Sequence, residues 1–311
     1  MRRETLIEQI PLITLVALAG AIALGTDRFL TPLNLTNVLV QAAVITVVAM
    51  GMTFVILGGG FDLSVGSVVA LAGCVGAAAM MKAGIVAGVL AGIGAGALVG
   101  AVNGFVVAVL KVNPFITTLG TMVMVRGIVY LFTRGEQVPI DGALPKAFLD
   151  FGVERFLGVH YFVWVPILLL AALSWVLART PYGRSVYATG GNREAAYLSG
   201  IRVGRVTAST YVWCGALAGV AGVMLASRLQ SGQPTSGEFY ELTAIAAVVL
   251  GGAALQGGEG KLYKTVIGVF IMVVLGNGLN LLNVDSYWQR VAIGFVIIAA
   301  AAMDQLRHRG R

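Results

Sequence analysis

Apolar residues fill this chain in long blocks parted by short polar breaks. The blocks lie at about 10 to 26, 35 to 58, 63 to 81, 84 to 110, 115 to 132, 162 to 178, 208 to 227, 242 to 257, 263 to 282 and 288 to 304. Crossing a hydrocarbon core of ~30 Å takes about 20 helical residues, and most of the blocks are of that order. A transmembrane barrel would show ~10-residue stretches of alternating hydrophobicity instead. The pattern therefore predicts an all-α polytopic membrane protein with about ten transmembrane helices. The eighth block, AIAAVVLGGAALQGG, is short and interrupted by glycine, which predicts a broken or re-entrant segment.

Composition points the same way. With 58% hydrophobic and 11% charged residues over 311 positions, and a mean hydropathy of +0.89, the chain lies outside the range of soluble domains. A net charge of +7 would point to nucleic acid in a soluble protein, but here its distribution accounts for it. If the N-terminus is cytoplasmic, thirteen basic residues fall in inner segments: Arg2, Arg3, Lys111, Arg179, Arg184, Arg193, Arg202, Arg205, Lys261, Lys264, Arg307, Arg309 and Arg311. Six fall in outer ones: Arg28, Lys82, Arg134, Lys146, Arg155 and Arg228. That excess orients the protein with both termini in the cytoplasm, and no nucleic-acid partner is expected. The first block follows Met1-Arg2-Arg3 as a signal peptide would. No small-x-small cleavage site closes it and it runs on into further spans, so it reads as an anchor. Cys74 and Cys214 both lie in apolar blocks, where each behaves as a small buried hydrophobe.

The 42 glycines include the run AGVLAGIGAGALVGAVNG at 87 to 104. Small residues at three- and four-residue spacing let helix backbones approach closely in lipid. The same spacing would serve helices that slide or tilt.

Several polar segments are candidate sites. Residues 179 to 205, RTPYGRSVYATGGNREAAYLSGIRVGR, hold five arginines and a single acid, Glu194. Within them NREAAYLSG suits a short helix with Asn192 as N-cap, Glu194 in the first turn and Gly200 closing it. Such a helix outside the bilayer is a handle for a soluble partner, because force on it moves the sixth and seventh spans. At 58 to 73, GGGFDLSVGSVVALAG, glycines free the chain to reverse and Asp62 or Ser64 can cap the next helix, although a carboxylate there could instead bind a proton or cation. Inside the spans, Gln41, Asn103, Thr117, Thr118, Thr121, Arg126, Asn277 and Asn280 are expected to point inward, either as interhelical hydrogen bonds or along a translocation path. Arg126 in particular needs a carboxylate, a carbonyl cluster or a pore. Arg134, Arg155 and Arg228 are candidate contacts for an acidic external partner, or else headgroup anchors.

These residues also carry a resemblance. GGFDLSVGS at 59 to 67, NPFITTLGT at 113 to 121, TPYGRSVYATGGNREAAYLSGI at 180 to 201, YELTAIAAVVLGG at 240 to 252 and GGEG at 257 to 260 resemble the permease subunit of bacterial ATP-binding-cassette importers for monosaccharides, the ribose, xylose and arabinose permease-like family. The likeness runs in order over nearly the whole chain. It implies one transmembrane permease domain over 1 to 311, of the type II, vitamin B12 importer-like architecture, with helices two to five and seven to ten as inverted repeats. It also implies a second copy of the chain, a cytoplasmic ABC ATPase and a periplasmic sugar-binding protein, in the bacterial inner membrane. By that resemblance residues 179 to 207 form the coupling loop, with Glu194, Ala195, Ala196 and Gly200, and with Arg184 and Asn192 beside them, docking on the ATPase. Gly59, Asp62, Ser64 and Gly66 would form a cytoplasmic turn.

ATP and Mg belong to the ATPase. This chain is expected to hold no cofactor or metal and to be no enzyme, since it has no G-x-x-x-x-G-K-[ST] loop and its histidines, His160 and His308, lie far apart. No tight sugar site is expected, because a conduit fed by a binding protein releases faster when it grips weakly. The other readings are a branched-chain amino acid permease and an ion-coupled secondary transporter, the latter disfavoured by span interiors that lack charge apart from Arg126.

Overall fold

A computed structural model describes residues 2–139 and 146–309. The chain runs α1 (Arg2–Gly25), α2 (Pro32–Leu57), α3 (Val65–Ala108), α4 (Pro114–Thr133), β1 (Val138–Pro139), α5 (Lys146–Val153), β2 (Arg155–Phe156), β3 (Val159–His160), α6 (Tyr161–Arg179), α7 (Pro181–Gly191), α8 (Arg193–Leu198), α9 (Val203–Leu229), β4 (Ser231–Gly232), α10 (Tyr240–Leu250), α11 (Leu262–Leu281) and α12 (Ser286–Arg309). Six of these, α2, α3, α4, α6, α9 and α11, are long and apolar enough to cross a membrane. Arg311 lies outside the described residues, as do the side chains of Arg2, Arg3, Arg307, His308 and Arg309, so the terminal part of the charge asymmetry is not seen.

Three helices start by one device. Thr31, Asn113 and Thr180 each stand before a proline, and their side-chain oxygens accept from the backbone N–H of Asn34, Phe115 and Gly183. A capping oxygen satisfies one orphan donor, and proline at the first helical position gives none up. Helix α3 is two helices in one, broken at Gly84, whose φ of 82° and ψ of 178° fold it into a hairpin. The hairpin brings Ser64 beside Asn103 and Gly76 against Gly88. The third and fourth apolar blocks are therefore its two arms.

Helix α9 lies along both arms. A Cβ on Gly96 would run into the Gly215 carbonyl, and one on Gly215 into that of Gly96, so the glycine run serves close helix packing. Helix α2 is the most enclosed element, with 83% of its most apolar window buried against 22% for α4. Its Met50 and Phe54 are fully covered. Thr53 of α2 bonds Thr265 of α11 at 3.0 Å, and Asn34 and Asn277 exchange amide hydrogen bonds of 3.0 and 2.8 Å between the same helices.

The eighth block is short and is broken at its first glycines, Gly251 and Gly252. The helix ends at Leu250 instead of continuing to 257. Before it, the chain runs down the side of α3, with Gly232 against Cys74 and Gly237 against Gly66, and α10 starts there inside the bundle. The segment at 133 to 161, in which the sequence shows no pattern, is built of small pieces: β1 pairs antiparallel with β4, β2 pairs with β3, and α5 rests on α9 where Ser227 Oγ donates to the Phe148 carbonyl at 2.6 Å. Residues 140–145 of it lie outside the described residues.

Candidate functional site

The basic stretch is more ordered than a loop. After α6 the chain kinks at Thr180 and forms α7, which the sequence reading missed although the Thr180-Pro181 start and the Gly190-Gly191 stop were both legible. Helix α8 follows as the sequence predicts: Asn192 Oδ1 accepts from Ala195 N at 2.9 Å, and Gly200 ends it with φ of 82°. All five arginines of the stretch are exposed, and so are Glu194 and Ala195, while Ala196 is the one buried residue of α8. Tyr197 and Leu198 stand 71% and 78% exposed, leaving an apolar tip on a basic collar.

Where α7 ends it is wedged between two turns. The Gly190 backbone lies so close to the Leu57 carbonyl and the Gly258 amide that a methyl group would not fit. Those two groups bond each other, Gly258 N–H to Leu57 O, at 3.0 Å. Gly59, with φ of 81°, faces Gly190 from the turn after α2. Tyr187 reaches across to the turn before α11, its hydroxyl donating to Gly260 O at 2.9 Å, and Tyr182 shares a 2.9 Å hydrogen bond with Ser209 of α9. Burial raises the pKa of both phenols, so each keeps its proton at neutral pH. Helix α7 thus joins α8 to the chain entering α3 and the chain leaving α10.

Next to this wedge, residues that the sequence assigns to separate groups form one buried cluster. Asp62 Oδ1 accepts from Ser64 N at 2.9 Å, from Ser64 Oγ at 2.6 Å and from Asn103 Nδ2 at 3.4 Å, and the Cys214 thiol also bonds this carboxylate. Asn103 Nδ2 donates to Ser64 Oγ at 2.9 Å as well, and Thr121 Oγ1 donates to Asn103 Oδ1 at 2.7 Å. The Tyr211 hydroxyl donates to the Phe61 carbonyl at 3.2 Å. Asp62 is 1% exposed, Ser64 and Asn103 0%. No side chain caps α3: Asp62 accepts from the amide of Ser64, which precedes the helix, and Ser64 makes no side-chain cap bond. Gly66 is not part of the turn but sits in the first turn of α3, pressed by the Glu241 carboxylate and the Gly237 carbonyl.

Of the remaining span residues, Arg126 finds the carbonyl cluster: its Nη1 donates to Pro234 O at 2.6 Å and Ser236 O at 3.0 Å. Thr117 and Thr118 bond carbonyls of their own helix, and Asn277 is occupied by Asn34. Gln41 and Asn280 are exposed on this chain. Asn280 lies near the end of α11, where its Oδ1 accepts from Gln289 at 2.8 Å. Among the described residues no group of three or more His, Cys, Asp or Glu is placed to hold a metal ion.

A glycine-packed membrane bundle with an ordered basic appendage wedged under two of its turns is the geometry against which known proteins can be compared. The family described as branched-chain amino acid transport system / permease component matches residues 34–301. The chain belongs to this permease family. It is 46% identical to the ribose import permease protein of Bacillus subtilis strain 168 over 303 residues, covering 95% of this chain and 92% of that one. It is 43% identical to the ribose import permease protein of Escherichia coli K12 over 302 residues (96% and 94%), and 38% identical to the L-arabinose transport system permease protein of the same organism over 301 residues (96% and 91%). No solved structure matches the chain.

At the opposite end of the permease from α7, burial lowers the pKa of His160, and the charges of Arg155 and Arg228 lower it further. Arg134 is exposed at the left-handed cap of α4, with φ of 56°. These three arginines share one end of the bundle, tied together by the β1–β4 pairing. The sequence reading assigned no site role to Glu238 and Glu241, which line a cavity of about 270 Å³ together with Arg126.

Proposed function

We propose that this permease is the membrane subunit of an ATP-driven importer, carrying a monosaccharide delivered by a soluble periplasmic binding protein. It has ten spans, counting both arms of α3 and the shorter α1, α10 and α12, in the type II arrangement with inverted repeats. Both termini and α7–α8 face the cytoplasm. Two copies enclose the path, a separate ABC ATPase binds α8 through Glu194, Ala195, Ala196 and Gly200, and ATP and Mg are held on that partner alone. The observation that carries this reading is the wedge of α7 between Leu57 and Gly258, because a lever must be seated against what it moves. Identity of 38–46% to ribose and arabinose permeases over 95–96% of the chain favours a sugar over a branched-chain amino acid as cargo.

The test is reconstitution in liposomes with the ATPase and binding protein, measuring uptake of ribose, arabinose and leucine. Sugar uptake should require ATP, and Glu194→Arg should leave the permease inserted and dimeric while ATP hydrolysis no longer drives uptake. Full-rate sugar uptake without the ATPase, or unchanged uptake in the variant, would overturn the coupling assignment. Leucine uptake in place of sugar would overturn the substrate class.

A further inference from the structure

Two stretches of this chain spell one device. Asp62-Leu63-Ser64 leads into VGSVVALAG, ending at Gly73, and Glu241-Leu242-Thr243 leads into AIAAVVLGG, ending at Gly252. In each, an acid, a leucine and a hydroxyl residue follow an aromatic, Phe61 or Tyr240, at the start of an apolar helix: the first triplet lies just before α3, the second in the first turn of α10. The two meet in space, since the Glu241 carboxylate presses on Gly66, the second residue of α3.

The two acids are finished differently. Asp62 is enclosed and saturated by Ser64, Asn103 and Cys214. Glu241 is half-buried, its carboxylate accepts from the backbone N–H groups of Glu241 and Phe239, and it borders the cavity of about 270 Å³ with Met122, Val123, Arg126, Glu238 and Phe239. That volume lies just below the ~300–1,000 Å³ of pockets for drug-sized ligands, so it suits a smaller solute. Charged side chains in membrane segments face the protein interior or water, so a surface carrying Arg126, Glu238 and Glu241 is a wet one, not a lipid face. Arg126 ties down the segment before α10 through the Pro234 and Ser236 carbonyls. These bonds use two of the guanidinium's five N–H donors. Phe239 is held at φ of 63°, in the left-handed region that a bulky residue rarely adopts, with the Arg290 guanidinium 5.3 Å from its ring centroid. Strain of this kind gathers at ligand sites.

Resting on the sugar-import reading, we propose that this cavity is a sugar-contact subsite on the translocation path, and that the Glu241 break is the open, ligand-handling copy of a device whose Asp62 copy is sealed for structure. The carboxylates of Glu238 and Glu241 accept from sugar hydroxyls, Arg126 donates to a sugar oxygen, and the Phe239 ring lies along the C–H face of the sugar. Binding is weak, in the millimolar range, so the subsite sorts sugars in passing without retaining them.

The experiment uses the permease–ATPase complex in lipid nanodiscs without binding protein. Saturation-transfer NMR is recorded with D-ribose, with leucine as the control, for the wild type, Glu238→Gln, Phe239→Leu and Glu241→Gln, each checked for monodispersity and melting temperature. The wild type should show ribose contact and no leucine contact, and each substitution should weaken ribose about tenfold, as loss of one charge-assisted hydrogen bond or ring contact does. Should Glu241→Gln fail to fold, the two exposed positions carry the test. Ribose contact that no substitution alters, or none at all while the full complex imports ribose, overturns the subsite and leaves the import function standing. Leucine contact without ribose contact, together with failed ribose import, overturns both.

Discussion

At the break between α2 and α3, the carboxylate of Asp62 collects hydrogen bonds from Ser64, Asn103 and Cys214 inside a sealed pocket, whereas at the break before α10 Glu241 stands at the rim of a cavity facing Arg126. Both sites place an acid after an aromatic and before a leucine and a hydroxyl residue, and their neighbours differ. The second arm of α3 supplies Asn103 and α9 supplies Cys214, and together they close the first site. At the second, α4 supplies a guanidinium and no cover. Similar acids thus stand in different settings, one enclosed and one at a cavity rim, and the helix packed beside each sets the difference.

The largest expected effect tests the brace. Asp62→Ala leaves the Ser64 amide and hydroxyl, the Asn103 amide and the Cys214 thiol without their shared acceptor. Unsatisfied buried donors cost about 1–3 kcal/mol each, so the variant should lose at least ~3 kcal/mol and fail to accumulate or melt far earlier in detergent. Asp62→Asn keeps an acceptor oxygen and should recover part of the loss. Glu241→Gln should shift the melting temperature much less. Equal losses at Asp62 and Glu241 would erase the distinction between brace and contact.

A smaller effect concerns α7, which ends against the turn leading to Asp62 and the turn following α10. A methyl group on Gly190 would overlap the Leu57 carbonyl, while one on Gly191 would approach nothing nearer than Gly258 Cα at 3.9 Å. Overpacking of this kind costs about 1–3 kcal/mol, so Gly190→Ala should lower both melting temperature and ATP-driven uptake, with Gly191→Ala close to wild type in both. Equal uptake in the two variants would mean that α7 does not bear on the turns.

The apolar blocks foretold helices at the right places because a membrane span needs only length and hydropathy, which a single sequence displays openly. The capping of α8 by Asn192 was legible for a similar reason: a cap acts over three residues. What could not be read was anything that depends on which helices meet. Asn103 and Thr121 looked like path residues and Asp62 like a turn residue, and only the α3 hairpin joins them. Gln41 was expected inside because amides avoid lipid, but which face of α2 the rest of the chain covers is set by tertiary packing. Glu238 and Glu241 looked like ends of an apolar block, because the chain's descent along α3 leaves no periodic signal.

The smallest effect separates two threonines a single turn apart on α4. Thr118 Oγ1 donates to Pro114 O, four residues back on its own helix, whereas Thr121 Oγ1, with Thr117 O at 3.0 Å and Asn103 Oδ1 at 2.7 Å, gives its single proton to the nearer Asn103 in the Asp62 cluster. Valine has the shape of threonine without the hydroxyl. At 118 the loss returns a carbonyl to its ordinary helical partner, so Thr118→Val should be nearly neutral. At 121 it strips a donor from a buried amide whose other bonds hold Ser64 and Asp62, and interhelical hydrogen bonds in membranes are worth about 0.6 kcal/mol on average and ~1.7 at most. Thr121→Val should therefore cost about 1 kcal/mol in reversible detergent unfolding, and that cost should largely vanish when Asn103 is already alanine. An additive double variant would show that Thr121 is outside the brace, and the sealing of Asp62 would then rest on α9 and the second arm of α3 alone.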